Sequence, residues 1–202
     1  MSREAIDSAF AHLSAAGIEG FRSVGYIPGK WSGVTIGAGV DLRFQTQEGL
    51  EREYNVPKEI VMKITRTGFL GKMGSTVEKE GKEASSLVLS QQEAETLSKA
   101  FVAHHLAVVG KYAQKMDQSG VNVLVSIRHF AGALGNMKSR VLAREVNGKV
   151  RNLVWEAVKG QGATNEDLKS ALEATRATYT AEERAIRNRI TNEIDHLLGK
   201  HA

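Results

Sequence analysis

Six glycines, at positions 20, 25, 29, 33, 37 and 39, punctuate one twenty-residue stretch, and this feature most constrains what the chain can fold into. An interior glycine costs a helix about 1 kcal/mol relative to alanine, so glycines this dense exclude a helix. The short pieces between them, Val24 to Ile27 and Gly33 to Ile36, are of β type. The stretch therefore predicts a small antiparallel hairpin or three-stranded sheet.

The periodicity around this island is helical. Ala5, Ile6, Ala9, Phe10, Leu13 and Ala16 recur at three- and four-residue spacings, predicting an amphipathic helix over 3–16 that Gly17 ends. Residues 46–65 read as weakly helical, with Pro57 opening a second helix. Residues 68–86 read as a looser link holding a short helix. Ser90-Gln-Gln-Glu93 is a capping box, and Leu97, Phe101, Val108, Tyr112 and Met116 predict a helix of about 25 residues after it. Val121 to Phe130 is apolar enough to be a buried helix, ending near Gly132. One or two short helices broken at Gly148 are expected over 140–159, followed by a loop at 160–163. Thr164-x-x-Asp167 caps a helix to about Ala177. Thr180-x-x-Glu183 opens a terminal helix with Ile186, Ile190, Ile194 and Leu197 on one face.

Composition narrows the class. With 202 residues, 42% hydrophobic and 25% charged, the chain is ordinary for a globular protein, and a disordered tail or a collagen-like repeat is excluded. The absence of cysteine removes thiol catalysis, disulfide staples and thiolate metal sites. No apolar run approaches the roughly 20 residues of a membrane span, so no integral membrane association is expected. Glu4, Asp7 and His12 interrupt any apolar leader, so the N-terminus is not expected to act as a secretory signal. A net charge of +4 and a pI near 9.3 suggest mild attraction to a polyanion, either nucleic acid or an acidic wall polymer.

The chemistry is concentrated at Glu19, Thr35 and Asp41. One carboxylate stands at a helix end, a threonine lies in the glycine-rich strand, and a second carboxylate follows six residues later. A helix end followed by a hairpin brings two carboxylates to opposite sides of one groove. Facing carboxylates are what glycosidic hydrolysis uses: one protonates the leaving oxygen, the other activates water or attacks the sugar. A separation of about 6.5–9.5 Å gives inversion and about 5–5.5 Å retention; spacing leaves both open. The bland reading makes Glu19 a solvated helix-terminal residue and Asp41 a turn residue.

Glu19-Gly, Gly25-Tyr-x-Pro28 and Ser32-Gly-Val-Thr-Ile-Gly-x-Gly-x-Asp-Leu42 together resemble the active-site segment of the bacteriophage-type lysozymes, most closely their pesticin-like branch. Three segments extend the resemblance. Leu89-Ser-Gln-Gln-Glu-Ala-Glu-Thr-Leu97 is similar to the start of the helix joining the two lobes of phage lysozymes. Val123 to Gly132 resembles their buried C-terminal-lobe helix, and Arg184-x-x-Arg187-Asn-Arg-Ile-x-x-Glu193 their Arg-rich terminal helix. The chain departs from the pattern at Arg43, where the family commonly has glycine, and in extra length around 60–90 and 145–165.

The resemblance implies a mostly helical lysozyme-like α+β fold as a single domain over 1–202. It would have an N-terminal catalytic lobe to about residue 89, a connecting helix over about 90–117, a helical C-terminal lobe from about 118, and a cleft between the lobes. It implies a muramidase cutting the β-1,4 bond between N-acetylmuramic acid and N-acetylglucosamine, without cofactor or metal, on the glycan strand of peptidoglycan. Glu19 is then the general acid, Asp41 the water-activating carboxylate and Thr35 the water-positioning hydroxyl. Gly37 and Gly39 would let the strand pass close to the sugar chain, Tyr26 and Trp31 are candidates to stack on sugar rings, and His129 is a candidate to line the groove. A monomer is expected, made in the cytoplasm and acting in the periplasm or cell wall. It would arrive there as a holin-released phage lysis enzyme or as an effector or bacteriocin domain delivered by a secretion apparatus, the latter with an immunity protein as partner.

Other readings fare worse on the residues. Gly37-Ala-Gly39 completes no nucleotide-binding loop, and Asp41 would repel a phosphate. His104 and His105 are adjacent, so on a helix they point about 100° apart and cannot chelate one metal together. Ser126 and His129 have no nucleophile elbow around them. The run of Arg184, Arg187 and Arg189 reads as a solvated or salt-bridged face. The alternative function is a non-catalytic basic module binding cell wall or nucleic acid, which would be strongly salt-dependent and indifferent to Glu19→Gln.

Overall fold

A computed structural model describes residues 2–29, 31–131, 154–160, 162–180 and 183–200. They are mostly helical, around one three-stranded antiparallel sheet. In chain order the elements are α1 (Arg3–Ser14), β1 (Arg22–Tyr26), β2 (Thr35–Gly37), β3 (Val40–Asp41), α2 (Lys58–Thr67), α3 (Gly74–Lys79), α4 (Gln91–Val109), α5 (Gln118–Ala131), α6 (Asn165–Ala177) and α7 (Arg184–Leu197). Residues 154–158 are also helical. No helix among the described residues is long and apolar enough to cross a membrane.

The chain divides into two compact units, residues 19–104 and, separately, the described residues up to 18 together with those from 105 on. α1 packs on α5, and its stripe of Ala9, His12 and Leu13 is buried.

Within residues 19–104 the sheet supplies one wall of the core. Val34, Ile36, Val40 and Leu42 are fully buried and pack with Leu50, Ile60, Ile64, Phe69, Leu97 and Phe101. The capping box opens α4 as expected: Glu93 N–H donates to Ser90 Oγ at 3.1 Å, and Ser90 N–H to the Glu93 carboxylate at 2.9 Å. The helix is shorter than the roughly 25 residues its periodicity suggested, ending at Val109 before Gly110. Apolar residues at 112 and 116 continue the spacing without continuing the helix.

The other unit is centred on α5, which is buried as expected, and on its contacts with α1, α6 and α7. The inward face of α7 is not the expected isoleucine stripe alone. Ile190 and Ile194 are buried, and so are Arg189 and Glu193, the latter with no exposed surface. Glu193 accepts from Ser126 Oγ at 2.6 Å, lies 2.7 Å from His12 Nε2 and 3.6 Å from Arg189 Nε. Arg189 also donates to Ser126 Oγ at 2.9 Å. A buried carboxylate needs such partners, and removing one of them typically costs 3–5 kcal/mol. Ser126 is thus a structural hydroxyl. The capping box of α6 is present at Thr164 and Asp167. At α7 the Glu183 carboxylate accepts from Thr180, but the helix starts only at Arg184. The helices expected over 140–153 and the end of α5 at Gly132 lie outside the described residues.

Asp117 caps α5. Its carboxylate accepts from Gly120 N–H at 3.0 Å, Ser119 Oγ at 2.7 Å and Asn165 Nδ2 at 2.6 Å, tying the starts of α5 and α6 together. These hydrogen bonds, Asn165 first, lower its pKa from 3.8 to about 2. A depressed carboxylate contributes stability that is present above its unfolded pKa and lost as pH falls through the folded one. Asp117→Ala is therefore expected to lose about 1 kcal/mol at neutral pH. The difference from wild type should shrink between pH 4 and pH 2, as measured by urea unfolding across that range.

Candidate functional site

The sheet positions the candidate residues by alternation. In β2 and β3 the even-numbered residues Val34, Ile36, Val40 and Leu42 enter the core, so Thr35 and Asp41 point to the opposite face. The register makes Thr35 the direct partner of Asp41, and Tyr26 the direct partner of Thr35. Direct partners in an antiparallel pair share a face, with Cβ atoms about 5 Å apart. Tyr26, Thr35 and Asp41 therefore form one row across the three strands. β1 reaches this register through a bulge between Arg22 and Tyr26.

Asp41 is held by its own backbone turn. Oδ1 accepts from Gly33 N–H at 3.1 Å and from Arg43 N–H at 2.9 Å, capping the 3-10 turn Leu42–Phe44. Oδ2 lies 3.8 Å from Arg43 Nε, an ion pair beyond hydrogen-bond reach. Thr35 is buried, and its hydroxyl donates to the Gly33 carbonyl at 3.4 Å.

Glu19 comes to the same region from the turn after α1. Its carboxylate packs against Gly39, where an added Cβ would stand 2.6 Å from Oε2. With φ at +78°, position 39 requires glycine twice over, for its backbone and for the space Glu19 fills. Glu19 is also close enough to act on Tyr26. Burial, and then the Glu19 charge, push the Tyr26 phenol above its ordinary pKa, while Arg22 pulls it down. The Arg22 guanidinium lies over the Tyr26 ring at 4.3 Å. The structure thus gathers Glu19, Tyr26, Thr35, Gly39 and Asp41 in one neighbourhood.

Two other candidates lie elsewhere. Gly37 is buried against α4, with an added Cβ 2.3 Å from Ser98 Oγ. Ser98 in turn accepts from Ala38 N–H at 2.9 Å and donates to the Ala94 carbonyl at 2.8 Å. Packing on the helix is by itself a sufficient reason for glycine at 37. His129 belongs to the other unit, where its Nδ1 is 3.2 Å from His105 Nε2, and Arg128 Nε donates to His105 Nδ1 at 3.2 Å. His104 lies 3.5 Å from Glu53 and against Tyr54.

Sequence reasoning missed the roles of Ser98 and Arg43. Ser98 is sixty residues from the backbone it holds and carries no local signal. Arg43 was legible as the second residue of a turn capped by Asp41. It was read only as a departure from a pattern.

A small antiparallel sheet with an apolar inner face and a carboxylate-bearing outer face, set in a mostly helical chain, is a lysozyme-like α+β fold. The family model for Pesticin, described as a bacterial toxin homologue of phage lysozyme, C-terminal, matches residues 5–149. The chain belongs to this family. Membership assigns it in general terms to the lysozyme-like glycoside hydrolases, with peptidoglycan as substrate class. No curated protein matches the sequence.

The proximity of Glu19 to Tyr26 is open to direct measurement. Phenolate absorbance, taken as a difference against Tyr26→Phe, should show Tyr26 titrating above 10. Glu19→Gln should lower that midpoint without restoring it, because the contribution of burial remains. Gly39→Ala is expected to cost more than about 1 kcal/mol in urea unfolding, since alanine is strained at this φ and meets the Glu19 carboxylate.

Proposed function

We propose that the protein is a muramidase, hydrolysing the β-1,4 bond between N-acetylmuramic acid and N-acetylglucosamine in peptidoglycan. The observation that carries this reading is the row Tyr26, Thr35, Asp41 across the sheet, with the Glu19 carboxylate seated on Gly39 in the β2–β3 turn. Family membership supplies the reaction class. Glu19 donates its proton to the glycosidic oxygen as the C1–O bond breaks. Asp41 Oδ2 takes a proton from the water that attacks C1, and its charge offsets the oxocarbenium character of the transition state. Thr35, whose β-branching limits its rotamers, gives its hydroxyl proton to Gly33 and keeps lone pairs for that water. Tyr26 lines the site beside them.

The toxin homology in the family description supports the reading of a wall-degrading toxin. A phage lysis enzyme released through a holin is the other reading.

Purified peptidoglycan digested by wild type, Glu19→Gln and Asp41→Asn, then reduced with borohydride and analysed by mass spectrometry, tests the reading. Wild type is expected to release muropeptides ending in reduced N-acetylmuramic acid. Glu19→Gln is expected to lose 10²–10⁴-fold in rate, to order of magnitude. Uncut glycan from all three proteins would leave the salt-dependent binding module as the better account, and equal cutting by all three would show that Glu19 and Asp41 are not the catalytic pair.

A further inference from the structure

We propose that Arg43 is a positioning residue for Asp41, setting which carboxylate oxygen faces the attacking water; this rests on the muramidase reading. The two oxygens of Asp41 have different surroundings. Oδ1 is occupied by two backbone N–H donors, from Gly33 and Arg43. Oδ2 accepts no hydrogen bond among the described residues and so keeps its lone pairs for a proton. Among the described residues, the charged group paired with it is the Arg43 guanidinium, with Nε at 3.8 Å. At that distance the cation attracts Oδ2 without donating to it.

Arg43 is itself fixed from two further sides. Its Nη1 donates to the Trp31 carbonyl, and its guanidinium carbon lies 4.0 Å over the Phe44 ring. Nε is buried and makes no hydrogen bond, so the fork is held by these contacts and by Asp41. A planar, always-charged group anchored at Trp31 and Phe44 can hold a carboxylate plane in one orientation. Arg43 is not a catalytic residue in this scheme: it touches Asp41 and not the glycan.

The consequence is a loss in turnover without a loss in binding. Wild type, Arg43→Ala, Arg43→Lys and Glu19→Gln are compared on soluble glycan-strand fragments, with melting temperatures measured for all four. Arg43→Ala is expected to lower kcat about tenfold, a typical loss for a misplaced reacting group, with KM and melting temperature close to wild type. Arg43→Lys, which keeps the charge, should recover a substantial part of the loss. A kcat unchanged in Arg43→Ala, a defect confined to KM, or a lysine variant no better than alanine would each overturn the proposal. A crystal structure of Arg43→Ala is read alongside, where the Asp41 carboxylate is expected to have rotated. If wild type cuts no better than Glu19→Gln, the muramidase reading fails. The orientation of Asp41 in that crystal structure then decides the positioning role by itself, and an unmoved carboxylate overturns it.

Discussion

Burial of Val34, Ile36, Val40 and Leu42 is the constraint on which the candidate site depends. Each such side chain contributes about 1.5–3 kcal/mol on leaving water. Strand alternation then leaves Thr35 and Asp41 no choice of face. A slip of one residue in the β2–β3 register would turn the apolar pair of one strand outward, either Val34 and Ile36 or Val40 and Leu42, so the hydrophobic pattern specifies the register and the register specifies the chemistry. The catalytic candidates are placed by residues that do no chemistry.

Polar contacts refine what burial sets. Ser98, in the middle of α4, satisfies the Ala38 N–H at the β2–β3 turn and sits where a side chain on Gly37 would otherwise go. The same turn carries Gly39, against which Glu19 packs. One helix serine therefore holds the piece of backbone that seats the proposed acid. Asp41 serves two purposes with its two oxygens: one caps the turn that follows, and the other is left facing Arg43. The cap fixes Oδ1, and the proposed contact with Arg43 holds Oδ2.

In the second unit the same economy appears in a buried polar cluster. Glu193, His12, Ser126 and Arg189 come from α1, α5 and α7 and satisfy one another inside the helix packing. Hydrophobic periodicity marked each of these helices for burial, and Leu13, Ile127 and Ile190 are buried. It did not predict the polar members, because a helical wheel gives them no partner until three distant segments are brought together.

Local signals in the sequence determined most of the secondary structure. The glycine-rich island became the sheet, the Ser90 and Thr164 boxes opened α4 and α6, and Pro57 stands at the start of α2. These are interactions within a few residues, so their chemistry is readable without a fold. The Glu19, Thr35 and Asp41 candidates were also named from a motif. What only the tertiary structure decided were contacts between residues far apart in the chain. It seated Glu19 on Gly39 and Gly37 on Ser98, drew His129 to His105, and ran the guanidinium of Arg43 from Asp41 to Trp31. Such pairings follow from how strands register and helices pack, and no periodicity or capping pattern along one segment contains that information.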